Sequence, residues 1–382
     1  MQLAYDIYQS VQTLPPEWDK HLPEGHALLK QNIATVELSQ ISDVQSLYVL
    51  CKENNQIVFC AYYQILRVKP YHFACQNKLQ QRSLQIALFA LRPTLLVAGH
   101  LFRHDAKFHH FVSQELPAKK KEEHYIQTTE FVLNKYRLTG VFLKDVPTEI
   151  ANYILLKDHY KQMTEDVSMY INIPSSWSSM IDYQQALKHK YLQRYKKIEK
   201  QLDVIQVKEL SLEDIIQNNN IIESLYLQVA NHQIVRMGKL NAAFFTEMKK
   251  SMMEDYIVYG WFLENKMVAF SSAIIKQDTY DMNYIGFDYT INQSHAIYFN
   301  ILFHCLQQAI RTQKSKLILG RTALEAKAIL GCEPQYEYSF YTLRHPIVRW
   351  FYKRVAKGFR EQVGEKWKDR HPFKSEFYKK SS

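Results

Sequence analysis

The sequence predicts an α/β protein built from two similar domains in tandem, each a mixed central sheet flanked by helices. Two observations carry this. The first is the alternation between Asn283 and Leu343: a strand Asn283–Asp288, a polar turn at 290–295, and a long apolar helix from about Ala296 to Arg311. A short strand Lys316–Leu319, a short helix stopped by Gly331 and a last strand Tyr336–Leu343 follow. Open α/β sheets are built this way, and they bind ligands beyond the carboxyl ends of their strands. The second observation is that the same element order occurs earlier. Leu47–Cys51 and Gln56–Val68 read as one hairpin, across Lys52-Glu53-Asn54-Asn55, and Tyr256–Leu263 with Met267–Ile275 as another. At a constant offset of 211, Tyr48, Glu53, Asn54 and Phe59 recur as Tyr259, Glu264, Asn265 and Phe270, with Ile57 opposite Val268.

The remaining elements follow in order. Residues 1–30, with Pro15-Pro16 and Pro23, read as an irregular cap. Thr94–Gly99 is a strand, Lys121–Arg137 a helix, Gly140–Asp145 a strand and Thr148–Leu156 a short helix, with Val167–Ile173 closing the first sheet. Asp182–Leu202 has helical periodicity, with Tyr183, Leu187, Tyr191, Tyr195, Ile198 and Leu202 on one stripe and Lys188, Lys190, Arg194, Lys196, Lys197 and Lys200 around it. A strand Val204–Val207 leads to a helix capped by Ser211 and a second helix from about Asn241 to Met253. The expected domains are 1–178 and 179–345, with a basic aromatic tail at 346–382.

Composition bounds the class. With 382 residues, 47% of them apolar, the chain can fill two cores, and 10 Gly and 11 Pro are too few for a disordered or collagen-like chain. Cys51, Cys60, Cys75, Cys305 and Cys332 are odd in number and lack C-x-x-C spacing, which points to free buried thiols in a reducing, cytoplasmic setting. The N-terminus reads as no signal peptide, and the apolar run Leu84–Gly99 is broken by Arg92-Pro93, short of a membrane span. A soluble protein is expected. Of the net +10, the tail holds +7, from eleven Lys and Arg against four Asp and Glu. That distribution argues against a general DNA binder. In the tail, Ile347, Phe351, Val355 and Phe359 recur every four residues among Arg349, Lys353, Arg354, Lys357 and Arg360, with Trp350, Trp367, Phe373 and Phe377 nearby. Such a helix either lies on an anionic membrane, here at its inner face, or packs on the domain with its charges outward.

Four places could carry chemistry. In Gly320–Gly331, Thr322 and Glu325 have capping-box spacing and Gly331 suits a left-handed C-cap. Packing does not account for Gly320, Arg321 or Lys327, and a guanidinium beside a helix start suits a phosphate or carboxylate. Asp288 ends its strand, where acid–base groups sit in open sheets, and Tyr298 stands near it in sequence. Lys190 and Arg194 project from one helix face and could clamp an anion such as a nucleotide, a transfer RNA or an undecaprenyl-phosphate-like lipid; a solvated face is the plain alternative. His104, His109 and His110 lack the carboxylate or cysteine partners of a metal site and read as a surface loop, so no metal is expected.

Three stretches carry a resemblance: His189-Lys-Tyr-Leu-Gln-Arg-Tyr-Lys-Lys197, Tyr284-Ile-Gly-Phe-Asp288 and Leu319-Gly-Arg-Thr-Ala-Leu-Glu-Ala-Lys-Ala-Ile-Leu-Gly331. With the element order, they make the chain similar to tandem-domain GNAT acyltransferases of the Fem-type peptidoglycan aminoacyltransferase group and their bacterial relatives. The resemblance covers about 160–340 well and the first domain by element order alone. It implies transfer of an acyl or aminoacyl group to an amine acceptor in a ternary complex, in cell-envelope or peptidoglycan metabolism. The donor would be acetyl-CoA, another acyl-CoA or an aminoacyl-tRNA. Acyl transfer to an amine needs a base and an acid, roles that Asp288 could share with Tyr289 and Tyr298. GNAT enzymes often place the acid Tyr on the last helix, where residues 323–330 contain none. Lys190, Arg194, Ser294, Gly320 and Arg321 would hold the donor's anionic groups. In the GNAT fold the 290–295 turn holds the coenzyme A pyrophosphate on glycines. Here Thr290-Ile-Asn-Gln-Ser-His295 has none, and Asn292 or Ser294 reads equally well as a helix cap. The rival expectation is a non-catalytic protein that keeps the fold and binds a cell-wall precursor or anionic lipid.

Overall fold

A computed structural model describes residues 3–73, 78–163, 167–233, 237–350 and 368–380. Two units emerge, the first from the described parts of 1–166, 233–247 and 337–364, the second from those of 167–232, 248–336 and 365–382.

Each unit has its own sheet. The first contains β1 (Leu3–Tyr8), β2 (Val44–Glu53), β3 (Gln56–Arg67), β4 (Thr94–Ala98), β5 (His109–Phe111), β6 (Gly140–Leu143), β7 (Lys161–Met163) and β15 (Ser339–Leu343). The second contains β8 (Val167–Asn172), β9 (Ile205–Glu209), β10 (Tyr256–Leu263), β11 (Lys266–Ile275), β12 (Thr279–Phe287), β13 (Lys316–Gly320) and β14 (Glu333–Tyr336). Across the first sheet the order is β1-β2-β3-β4-β6-β15-β7, with β5 on β3; across the second, read from its other end, it is β9-β10-β11-β12-β13-β8-β14. The two orders match place for place. In each sheet the parallel pair lies between the fourth and fifth strands, β4 with β6 and β12 with β13.

The match exposes an exchange. The sixth place of the first sheet is filled by β15, from near the end of the chain, and that of the second by β8, from its first half. Val167–Ile173, expected to close the first sheet, therefore runs in the second. The expected single strand Tyr336–Leu343 is two strands, β14 and β15, in different sheets. The N-terminal segment, expected to be irregular, opens with β1 paired along all of its length to β2. His109 and His110 lie in a strand on β3, not in a surface loop.

The hairpins correct the residue matching behind the duplication. The turns are Asn54-Asn55 and Glu264-Asn265, both residues of each at positive φ, and each hairpin has a register shift a few residues away, at Cys51/Lys52 and Trp261/Phe262. Both features correspond at an offset of 210. The identities at 211 are therefore one residue out of structural register, while the topology carries the repeat.

Helices cover the sheets. In the first unit three one-turn helices, α1 (Glu17–Lys20), α2 (Lys30–Ile33) and α3 (Thr35–Leu38), precede β2, and Trp18 is buried there with its indole N–H on the Leu28 carbonyl at 2.7 Å. Residues 68–93, with α4 (Lys78–Leu91), separate β3 from β4, whereas only residues 276–278 separate β11 from β12. The helices α5 (Ala118–Lys135) and α6 (Thr148–Ile154) complete this unit's core.

In the second unit α7 (Met180–Ala186) and α8 (His189–Glu199) replace the expected continuous helix 182–202. The break at Leu187 has a cause: Leu187 bridges to Phe373, and the Lys188 N–H donates to the Pro372 carbonyl at 2.8 Å. The apolar stripe still faces inward, with Tyr183, Leu187, Tyr195 and Ile198 buried. Ser211 caps α9 (Leu212–Gln217) in a capping box with Asp214, as its spacing predicts. Then come α10 (Asn219–Asn231), α11 (Ala242–Met252), α12 (Tyr289–His295), α13 (Ile297–Arg311) and α14 (Leu324–Leu330). One face of the sheet is filled by α13, through Ile297, Ile301, Leu302, Leu306 and Ile310. Each such side chain stabilises the fold by about 1.5–3 kcal/mol. On the other face α10 lies directly on β12. A Cβ added to Gly286 would fall 2.5 Å from the Leu225 carbonyl carbon and the Tyr226 nitrogen, so this position admits only glycine.

Phe373 and Phe377, expected on an amphipathic tail, pack into this unit beside Trp177, and Phe373 is buried. Residues 351–367, and so most of the expected tail helix, lie outside the described residues. Cys51, Cys60, Cys305 and Cys332 are free and buried, and burial pushes all four thiols up, Cys51 to about 11 and the other three to about 12. No helix among the described residues is long and apolar enough to cross a membrane.

Candidate functional site

The second sheet opens where the first does not. β12 pairs with β13 only through Thr279, Tyr280 and Asp281, against Lys316, Leu317 and Ile318. From Met282 to Phe287 it continues along β11 alone. In the first unit β4 keeps its parallel partner to its last residue, Ala98 against Leu143. The divergence in the second unit starts at a bulge: Ser271 faces Ile285 and Ala273 faces Met282, so β12 carries one residue more than β11 across this step. Bulges bend and twist the strand that carries them. Ser272 mends the ladder there, its hydroxyl 3.0 Å from both the N–H and the carbonyl of Tyr284. Asn283 lies within the bulge. Its Oδ1 is sealed from solvent and takes no hydrogen bond.

At the far end of β12 the chain caps its own helices. Asp288 is the N-cap of α12, its carboxylate accepting from the Thr290 N–H at 2.8 Å and the Thr290 hydroxyl at 2.6 Å. The Thr290 hydroxyl, then the N–H groups of Thr290 and Ile291, hold the Asp288 carboxyl below the usual carboxylate range. The expected turn 290–295 is thus a helix. It ends at Ala296 in the left-handed conformation, and α13 starts at once, with Asn292 Oδ1 accepting from the Tyr298 N–H at 2.8 Å. Of the two readings open for this segment, the capping role falls to Asn292. The exposed Ser294 hydroxyl instead meets the Ile291 carbonyl and His295 Nδ1. Buried Asn300 fastens the joint, its amide donating to the carbonyls of His295 and Ile198.

Aromatic rings gather at this end. Phe287 lies 4.9 Å from Tyr289 and 6.0 Å from Tyr298, centroid to centroid, and the hydroxyl of Tyr298 is buried. His232, just past α10, packs 4.1 Å from Tyr289. Its Nδ1 is 2.7 Å from the Gln228 carbonyl, which can only accept, so Nδ1 carries a proton and Nε2 is the ring nitrogen left without that contact.

The anion-binding candidates lie on α8, at the end of β13 and on α14. Lys190 and Arg194 stand exposed on α8, one turn apart, and the Arg194 guanidinium lies 5.0 Å over the Phe299 ring of α13. Gly320 ends β13 at φ +77°, with open space where a Cβ would stand. Arg321 follows, half-buried with its Nε sealed from solvent. Lys327 is buried, and its ammonium offsets part of the burial effect on the neighbouring Cys332 thiol.

The capping box on Thr322 and Glu325 does not form. Ala323 enters α14 in the left-handed conformation without a side-chain cap, and Thr322 is exposed. Glu325 turns outward and accepts from the Lys368 N–H at 2.8 Å and from Arg370, whose Nε is 2.8 Å away. Those partners hold its carboxyl below the usual range, the Lys368 N–H contributing most. Gly331 closes α14 at φ +102°, as its spacing predicts. Sequence reasoning missed Asn283, His232 and Arg370, because nothing in local spacing marks a bulge or a partner 45 residues away. Among the described residues no His, Cys, Asp and Glu group is arranged to hold a metal ion.

The geometry does not fit the pyrophosphate of coenzyme A at the end of β12. A pyrophosphate there needs free N–H groups at a helix start. The Thr290 N–H of α12 is taken by an ionised carboxylate of the same chain, and the Tyr298 N–H of α13 by Asn292.

No family model matches the sequence, and no curated protein matches it. Solved structures do. The crystal structure of FemX matches with a TM-score of 0.52 at 9% identity, over 93% of this chain and 100% of that one. A tandem GNAT protein from the clavulanic acid biosynthesis pathway matches with a TM-score of 0.50 at 8% identity, over 90% of this chain and 99% of that one. The chain has the tandem GNAT fold, two GNAT-like domains in series.

Proposed function

We propose that the second unit is an N-acyltransferase site, moving an acyl or aminoacyl group to an amine in a ternary complex. The observation that supports this above the others is the one-sided opening of the sheets. β12 and β13 part after three paired residues in the second unit, whereas the matching strands of the first unit stay paired. An opening between parallel strands leaves backbone groups to bind an extended polar donor, which a filled sheet cannot do. The similarity to FemX and to a tandem GNAT protein agrees with this class of chemistry.

In the reaction the amine nitrogen attacks the acyl carbonyl carbon, a C–N bond forms, and the bond from that carbon to the donor's leaving atom breaks. One proton leaves the nitrogen and one reaches the leaving group. Tyr298, on the first turn of α13, is the proposed acid. His232, whose Nδ1 is engaged by the Gln228 carbonyl, is the proposed proton acceptor through Nε2. Asp288, held ionised by its cap contacts, is a poor base and would instead attract the incoming ammonium. Lys190, Arg194 and Arg321, with the open backbone at Gly320, would hold the donor's phosphates or carboxylates. No step passes through coenzyme A, and the self-capped α12 favours an ester donor such as an aminoacyl-tRNA over a thioester. A cell-envelope amine is the proposed acceptor class.

The test is thermal stabilisation by acetyl-CoA and, separately, by aminoacylated transfer RNA, followed by mass spectrometry of a primary amine added to each mixture. Stabilisation and amine acylation with the ester alone are expected. Acylation from acetyl-CoA would overturn the donor assignment, and no shift with either would sink the transferase.

A further inference from the structure

We propose that α4 of the first unit is a docking helix for an anionic lipid surface. The helix belongs to residues 68–93, the excursion between β3 and β4 that has no counterpart between β11 and β12. Every strand of the second sheet has its match in the first, so this segment is an addition to the repeated fold. Added segments on a conserved scaffold are where function concentrates.

Its inner face is ordinary. Leu84 and Leu88 are buried with Val68 against Phe73 and Leu95. Its outer face is not. At the helical repeat, Lys78, Arg82, Gln85, Ile86 and Phe89 point the same way. Ile86 is 71% exposed and Phe89 76% exposed, one turn apart and side by side. Single exposed hydrophobic residues need no explanation, but two large ones at the tip of one added helix do.

Charge selects the partner. Residues 68–93 contain Lys69, Lys78, Arg82 and Arg92 and no Asp or Glu. The Arg92 guanidinium lies 5.7 Å from the Phe89 ring centre, so an apolar tip is bordered by a cation that can stay at the interface while the ring goes below it. Lys69 pairs with Asp43 at 3.9 Å, which leaves Lys78, Arg82 and Arg92 to flank the apolar side chains, and that set matches the boundary of a bilayer that carries anionic headgroups. A second copy of this helix is a poorer partner, because a two-fold contact would set Arg82 and Arg92 against their own kind. A nucleic acid would engage the cations but leave Ile86 and Phe89 in water.

This docking is independent of the transfer chemistry and of the 346–382 tail. The experiment uses the full chain with vesicles of phosphatidylglycerol mixed with phosphatidylcholine, and with phosphatidylcholine alone, read by co-sedimentation. Binding is expected to the anionic vesicles only and to weaken as salt rises. The double variant Ile86→Gln, Phe89→Gln should lose at least about tenfold in partitioning, since it removes the inserted area. The tail variant Ile347→Gln, Trp350→Gln should bind as the parent does. Phe89→Trp supplies a second reading, a blue shift of its emission on adding anionic vesicles. Binding unaffected by the double variant, binding lost in the tail variant alone, or equal binding to both vesicle types would each overturn the proposal. So would self-association without lipid that the double variant abolishes.

Discussion

Asn283 separates stability from recognition at a single atom. A sealed carbonyl oxygen without a donor costs about 1–3 kcal/mol, and one beside the opened strand is placed to accept from a bound donor. Asn283→Ala should therefore leave the melting temperature unchanged or raise it, while the stabilisation given by an ester donor falls. A thermal-shift titration reads both, and a plain loss of stability would make Asn283 structural. Asp288 makes the opposite prediction. Removing its cap with Asp288→Ala should cost about 1 kcal/mol in a urea titration at pH 7. Because the folded carboxyl is held below its unfolded value near 4, that cost is full above about pH 4 and shrinks as pH falls through the folded value. The same two residues mark what a sequence can disclose. Asp288 is legible as a strand end and Ser211 as a cap, since both depend on near neighbours. Glu325 fits the spacing of a capping box, yet its carboxylate goes to Arg370, and no local rule weighs a partner so distant.

Elements show where periodicity succeeds and where it stops. The buried stripe Tyr183, Leu187, Tyr195, Ile198 is read correctly, although the helix carrying it is broken by a segment from the chain's end. Burial follows side-chain spacing, whereas continuity of backbone depends on what else competes for its hydrogen bonds. The opening beside β12 is illegible for a related reason: the sequence reads a strand only over Asn283–Asp288, whereas β12 runs Thr279–Phe287, and only the pairing reveals the bulge inside it. Gly286 tests the layer behind that opening. Gly286→Ala would drive a methyl into the α10 backbone and should cost about 1–3 kcal/mol or more, measured as a lower urea midpoint, because backbone cannot step aside as a side chain can. Gly320→Ala meets no neighbour, so its cost should be confined to the strain of φ +77°, about 1 kcal/mol.

For the whole molecule, the fold class was readable because hairpin, strand and helix order repeats, even though the residue identities that suggested the repeat are one position out of register. Buried histidines set its response to acid. Burial, with nearby positive charge in most cases, lowers His26 to about 4, His109 to about 3, and His100, His110 and His124 by smaller or larger steps, all in the first unit; His304, lowered to about 4, is in the second. An unfolded histidine takes up its proton near pH 6.5, where these do not, so stability is full above that value and falls as pH drops toward the folded values. Urea midpoints between pH 7 and 5 should decline, and His109→Phe should flatten the slope. The exchange of β8 and β15 has a last consequence, for dissection of the chain. A fragment ending at residue 166 lacks the strand that belongs between β6 and β7, and two unsatisfied backbone edges would face each other across an empty slot. Such a fragment should aggregate, and a synthetic peptide covering 337–350 should rescue it by donating the absent strand. Each sheet thus takes its sixth strand from the other half of the sequence, so a cut between the halves leaves neither sheet complete.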